Sequence, residues 1–142
     1  MTATDRELLV RIDYGIAHVT LNRPQARNAL TFGMYEELAK LCAIAGTADD
    51  AHHIKAIVIA GAGDKAFAAG TDIGQFTAFD STEDGLRYEA KVEAVISQIE
   101  SCHVPVIAAL HGAVTGGGLV IAAAAHVRIA SAAAVAGMPI AR

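Results

Sequence analysis

The 142-residue sequence contains no Trp and only two Cys, and aromatic residues make up 5% of it. Few large rings are therefore available to fill an interior, although 54% of the residues are hydrophobic. Ala and Gly supply much of that fraction, so we expect a core in which backbones approach one another closely. This hydrophobic content excludes a disordered segment, and the length fits one domain over residues 1–142.

An excess of positive charge is also missing. Eleven basic residues stand against fifteen acidic ones, for a formal net charge of -4. We therefore expect no nucleic-acid partner, and an anionic ligand must be held by a local site. No run is suited to crossing a membrane either, because the uncharged stretch 112–125 is short and rich in Gly.

The sequence also shows no set of metal ligands and no secretory leader. Cys42 and Cys102 have no further ligand at useful spacing, and the adjacent His52 and His53 cannot face one site together. The start of the chain is polar and has no apolar segment typical of a signal. We expect a cytoplasmic protein with two buried, reduced thiols and no metal.

Short β-type and helical segments alternate along the chain. Residues 8–13 and 16–21 predict a hairpin, and Thr31 is a good N-cap for a helix ending near position 45. A buried strand is expected at 54–60, and Ser81 opens a helix that runs to about Cys102. The strand at 104–110, the helix at 119–125 and the strand at 127–131 complete an α/β pattern with parallel pairing.

Two Gly-rich segments follow the buried strands, at residues 68–73 and 112–118, and we expect both to be loops. Ligands of open α/β sheets bind at the carboxyl ends of strands, where such loops expose backbone N–H groups. The second segment also begins a helix, whose N-terminus favours negative charge. If one N–H from each loop converges on a point, the pair forms an oxyanion hole.

The glycines also admit a purely structural interpretation. Each loop taken alone is accounted for as well by tight turns and close helix–sheet packing. Neither segment is a phosphate-binding P-loop, because GxxxxGK[ST] does not occur, and the dinucleotide fingerprint fails because Gly is missing at position 66.

Three ordered strings resemble the signature blocks of the crotonase family, the enoyl-CoA hydratases and isomerases. They are LNRPQARNAL at 21–30, KAFAAGTDIGQF at 65–76 and PVIAALHGAVTGGGLVIAAAAHVRIAS at 105–131. The resemblance implies a spiral of repeated ββα units and an acyl-CoA substrate, with no cofactor beyond the coenzyme A of that substrate. It assigns the two oxyanion donors to the backbone N–H groups of Thr71 and Gly117.

The resemblance also implies which residues lie against coenzyme A. The adenine and ribose-phosphate end is expected at the first string, and Lys65 or Arg27 is expected to meet a phosphate. Solvation of an exposed loop is the alternative account of these two cations. The expected set comprises Gln25, Ala26, Arg27, Lys65, Ala69, Gly70, Asp72 and Ile73. For Asp72 we prefer a structural role, in which its carboxylate bonds nearby backbone N–H groups and holds Thr71.

The sequence departs from the family at the two catalytic glutamates of hydratases. Their positions hold Val120 and Ile140, neither of which can move a proton. Other candidates for the acid or base are His111, Tyr88, Glu89 and Glu93, or a residue beyond the chain. Two further departures are His126, which replaces a common Asp, and Ala136, which replaces a common Phe and is expected to leave a void.

Three functions are compatible with these patterns. The first is an enzyme that stabilises a thioester enolate with a different acid or base, and the second is a non-catalytic acyl-CoA binder. The third and weakest is a hydrolase related to the Clp proteases, with Thr115 as nucleophile. The family's C-terminal helical region, which builds trimers, is absent, and residues 132–141 are apolar like a core. We therefore expect either self-association or missing partner sequence, as in a truncated domain, and a homotrimer or hexamer for a full-length chain.

Overall fold

The computed structural model describes residues 5–139. It opens with the expected antiparallel hairpin, in which β1 (Leu8–Asp13) pairs with β2 (Ile16–Leu21). Tyr14 and Gly15 form its two-residue turn with φ of 48° and 78°. Positive φ at both positions is typical of the turn that matches the twist of two paired strands.

Parallel strands extend this hairpin into a five-stranded sheet. The strands are β3 (Ala56–Gly61), β5 (Val106–Leu110) and β7 (Val127–Ala130), and the order is β1-β2-β3-β5-β7. Pairs β2–β3, β3–β5 and β5–β7 are all parallel. The near-continuous apolar runs of β3 and β5 suit strands that are covered on both faces.

A second sheet contains three short strands, ordered β4-β6-β8 and paired in parallel. They are β4 (Ala66–Ala69), β6 (Ala113–Thr115) and β8 (Val135–Gly137). Each follows one strand of the first sheet, so strands and helices repeat as ββα units, as expected. The expectation of plain loops at 68–73 and 112–118 is wrong where β4 and β6 run through them, because strands of three or four residues show no readable periodicity.

The helices begin close to the predicted positions. The hydroxyl of Thr31 accepts the Met34 N–H and caps α1 (Phe32–Ile44), and Ser81 with Asp84 forms a capping box at α2 (Thr82–Glu100). Helix α3 is Gly117–Ala124, and Arg128 donates to the carbonyl groups of its last turn. Short 3₁₀ turns lie at Pro24–Ala26 and Ile73–Ala78.

The core is built from buried side chains of both sheets and of the three helices. In the absence of Trp, its largest buried side chains are Tyr35 and Phe67, and Ala, Val, Leu and Ile supply most of the rest. Helix α2 presents Val95 and Ile99 to the core, whereas Leu86 near its start is 60% exposed. Burial and the neighbouring Cys102 thiol raise the pKa of the Cys42 thiol to about 12, and both cysteines are free.

The last two strands are more exposed than the sequence predicts. Val127, Ile129, Val135 and Met138 are 46%, 63%, 67% and 50% exposed, so residues 132–139 do not form core in this chain. Ala136 is exposed as well, so the expected void does not arise in the interior. His126 replaces a carboxylate contact with two other bonds, since its Nδ1 accepts the Val106 N–H and its Nε2 meets the Glu100 carbonyl.

No helix among residues 5–139 is long and apolar enough to cross a membrane.

Asn28 joins two segments that are far apart in the sequence. It is fully buried with φ of 56°, and its Oδ1 accepts the Arg23 N–H at 2.9 Å. Its Nδ2 donates to the carbonyls of Ala62 and Ala66 at 2.9 and 2.8 Å. The amide thereby fixes the loop before α1 against both ends of the β3–β4 connection.

Replacing Asn28 by Ala should lower the free energy of unfolding by about 2–3 kcal/mol, because buried N–H and carbonyl groups lose their partners. Urea denaturation measures this. The matched control is His53→Ala, also at positive φ (51°) but exposed, which should cost less than about 1 kcal/mol. Equal losses at the two positions would show that backbone conformation, not the hydrogen bonds, is responsible.

Candidate functional site

The two Gly-rich segments meet at the carboxyl ends of β4 and β6. These strands are parallel neighbours with Ala69 opposite Thr115. Thr71 and Gly117 each stand two residues beyond that pair, at equivalent positions. The segments also touch, because a β-carbon built on Gly116 would lie 3.1 Å from the Gly70 Cα. The fold therefore brings the two predicted amides to one edge of the second sheet.

Both amides lack an acceptor within residues 5–139. Leu30 pairs across Thr71: its N–H donates to the Gly70 carbonyl and its own carbonyl accepts the Asp72 N–H, each at 2.9 Å. In a parallel bridge of this kind the N–H of the middle residue points away from the partner. Gly117 is the first residue of α3, where the N–H has no intrahelical acceptor.

Three hydroxyl groups lie beside these amides. Thr71 Oγ1 is 2.8 Å from the Tyr35 hydroxyl and accepts a hydrogen bond from the Tyr88 hydroxyl at 3.1 Å. A β-carbon at Gly117 would overlap the Tyr35 oxygen and lie 2.7 Å from Thr71 Oγ1. Burial raises the pKa of Tyr35 to about 12, so this hydroxyl keeps its proton at neutral pH. A β-carbon at position 117 would therefore have to displace these hydroxyls.

Asp72 has the structural role predicted for it. Its Oδ1 accepts the Gly74 N–H at 2.9 Å, and its Oδ2 accepts a hydrogen bond from Arg23 at 2.8 Å. The Gly74 bond first, and then Arg23, hold the pKa of this carboxyl below its usual value. Arg23 also donates to the Ala29 carbonyl at 2.7 Å and pairs with Glu7 at 3.3 Å. This arginine, which the motif analysis did not single out, ties the loop of Thr71 to the loop before α1.

Comparison with known proteins identifies the family. The family model described as enoyl-CoA hydratase/isomerase matches residues 11–142. The chain belongs to the enoyl-CoA hydratase/isomerase family. It is 39% identical over 128 residues to a probable enoyl-CoA hydratase of Bacillus subtilis, covering 90% of this chain and 48% of the relative.

Further relatives in the family support the assignment. A peroxisomal Delta(3,5)-Delta(2,4)-dienoyl-CoA isomerase of Arabidopsis thaliana is 32% identical over 130 residues, covering 84% of this chain and 45% of that protein. The crystal structure of a family protein from Hyphomonas neptunium superposes with a TM-score of 0.85 at 32% identity, covering 96% of this chain and 52% of that one. The chain spans about half the length of the curated relatives it matches.

Three of the eight expected coenzyme A residues line two neighbouring depressions. Arg27 and Lys65, far apart in sequence, line one depression together with Gly63 and Asp64. Gln25 lines a neighbouring depression beside Asn22 and Glu7. The structure therefore brings the two cations together and places Gln25 apart from them.

His111 lies away from the amide pair. Its carbonyl accepts the Phe67 N–H at 2.8 Å at the start of β4. The three residues of β6 separate His111 from the carboxyl end of that strand, and three residues of an extended strand span about 10 Å. Its Nε2 is buried without a partner among residues 5–139. Its role as acid or base stays a prediction, which this position does not favour.

The other acid–base positions lie on the helices or outside the described residues. Val120 lies in α3, where its N–H donates to the Gly116 carbonyl, and Ile140 lies outside residues 5–139. Glu89 and Glu93 are exposed on α2, whereas the Tyr88 hydroxyl contacts Thr71. Within residues 5–139 no three His, Cys, Asp or Glu side chains are grouped as metal ligands.

An aromatic wall extends from Tyr88, and the sequence did not indicate it. The ring of Tyr88 meets Phe76 edge-on at 4.8 Å and lies 5.3 Å from Phe32, which stacks on Phe79 at 5.8 Å. Phe32, Phe79 and Tyr88 line a surface depression. Phe76 and Phe79 come from the 3₁₀ turn at Ile73–Ala78 and its end, and Phe32 comes from the start of α1, so no single helical period reveals these rings.

Gly117→Ala should lower the free energy of unfolding by about 1–3 kcal/mol, because the new methyl group overlaps the Tyr35 hydroxyl. In a Tyr35→Phe background the added cost should be smaller, since the overlapping oxygen is gone. Urea denaturation of the wild type, both single variants and the double variant completes a double-mutant cycle. Strict additivity would contradict contact between the two groups.

Proposed function

We propose that this protein binds an acyl-CoA and holds the thioester carbonyl oxygen with the backbone N–H groups of Thr71 and Gly117. The observation that carries the proposal is the pair of N–H groups, both without an acceptor among residues 5–139, at equivalent positions beyond two paired parallel strands. The relatives named as enoyl-CoA hydratase and dienoyl-CoA isomerase support a thioester as the ligand.

Such an oxyanion hole supplies electrostatic stabilisation without moving a proton. When an enolate forms, negative charge develops on the thioester oxygen, and preorganised donors in a site that excludes water stabilise it. Loss of one such donor costs about 2.7–4 kcal/mol in known oxyanion holes. The positive end of α3 adds to the effect, because Gly117 is its first residue.

The coenzyme A part would lie along the loops that flank these amides. Arg27 and Lys65, which share one depression, are suited to the nucleotide phosphates. Gln25 and Ala26 would lie against the adenosine, and the backbone of Ala69, Gly70, Asp72 and Ile73 would border the thioester end. The carboxylate of Asp72 is engaged by Arg23 and Gly74, so we assign it a positioning role.

Gly117→Pro removes one proposed donor, and Gly117→Ala is its matched control because it adds a β-carbon but keeps the N–H. Proline is otherwise compatible with the first position of a helix. With a responsive acyl-CoA, Gly117→Pro should lower kcat about 100-fold or more relative to Gly117→Ala. Gly117→Ala must itself retain measurable turnover, because its β-carbon crowds the Tyr35 and Thr71 hydroxyls. Equal rates for the two variants, with both shown to be folded by circular dichroism, would then refute the oxyanion role of Gly117.

Neutralising both cations, by Arg27→Gln with Lys65→Gln, should weaken binding of butyryl-CoA about tenfold or more, because charge-assisted hydrogen bonds to phosphate are lost. Binding of S-butyryl-pantetheine, which lacks the nucleotide phosphates, should not change. Arg11→Gln, on the exposed face of the hairpin, is the matched control. Calorimetry with both ligands measures this, and equal losses for both would contradict a phosphate contact.

A non-catalytic acyl-CoA binder is the second candidate, and Val120 favours it because valine stands where hydratases carry a glutamate. Binding of butyryl-CoA without turnover of any tested enoyl-CoA would establish it. The hydrolase hypothesis has less support, since Thr115 lies in β6 and none of the histidines among residues 5–139 is hydrogen-bonded to it.

Assembly and location belong to the same proposal. The exposed apolar side chains of β7 and β8 support self-association, and a trimer or hexamer is the assembly we expect of a full-length protein. A cytoplasmic location stays a prediction.

A further inference from the structure

The guanidinium group of Arg23 uses all three of its nitrogens inside the protein. Arg23 lies in the loop between β2 and α1, and its side chain is 14% exposed. One terminal nitrogen donates to the Ala29 carbonyl at 2.7 Å, and the other donates to the Asp72 carboxylate at 2.8 Å. Its Nε lies 3.3 Å from the Glu7 carboxylate. Because the guanidinium is planar and rigid, these contacts fix its partners in direction as well as in distance.

Two of these partners flank the pairing of Leu30 with Thr71. Ala29 precedes Leu30 in the chain, and Asp72 follows Thr71. Leu30 and Thr71 themselves form an isolated parallel bridge. The guanidinium therefore bonds to the chain on both sides of this bridge and holds the two segments together at that point.

The same bridge determines where the Thr71 N–H points. This N–H belongs to one planar peptide unit with the Gly70 carbonyl, and in a trans peptide the two groups point in opposite directions. The Gly70 carbonyl accepts the Leu30 N–H at 2.9 Å, so the Thr71 N–H points away from Leu30.

The peptide unit has little else to hold it. Gly70 has φ of 99°, and a β-carbon built there would meet nothing within 4 Å among residues 5–139. A glycine at this position leaves the backbone free to rotate. The orientation of the Gly70–Thr71 peptide therefore depends on the bridge to Leu30, and the bridge depends on the arginine that bonds to both of its sides.

We propose that Arg23 is a positioning residue of the oxyanion hole, which keeps the Gly70–Thr71 peptide turned with its N–H toward the thioester oxygen. The inference rests on the proposed function and deepens it, because it assigns the direction of one donor to a side chain engaged within the protein. Direction matters because a hydrogen bond weakens steeply as its angle falls. Lysine cannot replace Arg23, since an ammonium group lacks the planar fork that reaches Ala29 and Asp72 together.

Two substitutions break this contact from opposite sides. Arg23→Lys keeps the positive charge and removes the fork. Asp72→Asn removes the oxygen that accepts from Arg23 and keeps an oxygen for the Gly74 N–H. The matched control is Asp50→Asn, the same change at a buried carboxylate that accepts three backbone N–H groups beyond the other end of α1.

The test measures the carbonyl stretch of butyryl-CoA labelled with ¹³C at the thioester carbon, by isotope-edited infrared difference spectroscopy on the saturated complex. This ligand has no double bond to hydrate, so the readout does not depend on turnover. Hydrogen bonds to the oxygen move the band to lower frequency. Urea denaturation of each variant is measured in parallel, because a merely structural role would change stability and leave the band where it is.

We expect the wild type and Asp50→Asn to shift the band equally, although Asp50→Asn unfolds at a lower urea concentration. Arg23→Lys and Asp72→Asn should each lose about half of the shift, since one of the two donors is misdirected. The double variant should lose no more than either single variant, because both changes break one contact. Calorimetry should show about three- to tenfold weaker binding of butyryl-CoA to all three, as for one hydrogen bond.

The outcomes separate this inference from the proposed function. A band at the wild-type position in Asp72→Asn would overturn the positioning role while the two backbone donors stand, and this variant decides the matter even if Arg23→Lys does not fold. An equal loss of shift in Asp50→Asn would also overturn it, because the shift would then follow stability alone. A band at the frequency of free butyryl-CoA in the bound wild type would overturn the oxyanion hole, and the role of Arg23 with it.

Discussion

The close approach of α3 to β4 is the constraint on which the rest of the structure depends. A β-carbon at Gly118 would overlap the carbonyl group of Ala68, so only glycine lets the helix begin against the backbone of that strand. This contact sets the distance between the second ββα unit, which contains β4, and the third, which contains α3. It also places Gly117 against the Tyr35 and Thr71 hydroxyls. The site is therefore a consequence of backbone-to-backbone packing, and a larger residue at 117 or 118 would disturb fold and site together.

A polar network fixes the loop before α1 and the segment of Thr71 at the same edge of the second sheet. Asn28 binds the ends of the β3–β4 connection, and Arg23 links the Ala29 carbonyl, Glu7 and Asp72. Because Asp72 also caps the turn at Ile73–Ala78, the segment of Thr71 is held from both sides. These groups do not need to touch a ligand. Their contribution is to fix the direction of the Thr71 N–H, which in an oxyanion hole matters as much as its presence.

The polar groups at the candidate site are nearly all hydrogen-bond donors without charge. Two amides and three hydroxyls surround it, while Glu89 and Glu93 face solvent and Val120 cannot ionise. Such a site suits the stabilisation of charge on an oxygen better than the transfer of a proton to carbon. Stabilisation and proton transfer are separable tasks, and this chain carries the groups for the first more clearly than for the second.

Local patterns account for most of the elements that the sequence predicts. The turn at Tyr14 and Gly15, the caps at Thr31 and Ser81, and the apolar runs of β3 and β5 all act through neighbours in sequence, so these elements are predictable nearly at their true bounds. The exposure of Leu86 on α2 is not predictable in this way, because a helix face is defined by what packs on it. Strands β4, β6 and β8 escape prediction because they are too short to show a period.

The sequence by itself determined the alternation of the longer strands with helices, the positions of the two Gly-rich segments and, through the three signature strings, the family. Spacing and glycine placement are properties of the chain alone. Only the tertiary structure decided that Thr71 meets Tyr35 and Tyr88, that Arg27 and Lys65 share one depression, and that His111 lies at the other end of β6. These relations join residues many positions apart, and parallel pairing and helix packing set them. No local preference encodes which distant side chains will be neighbours.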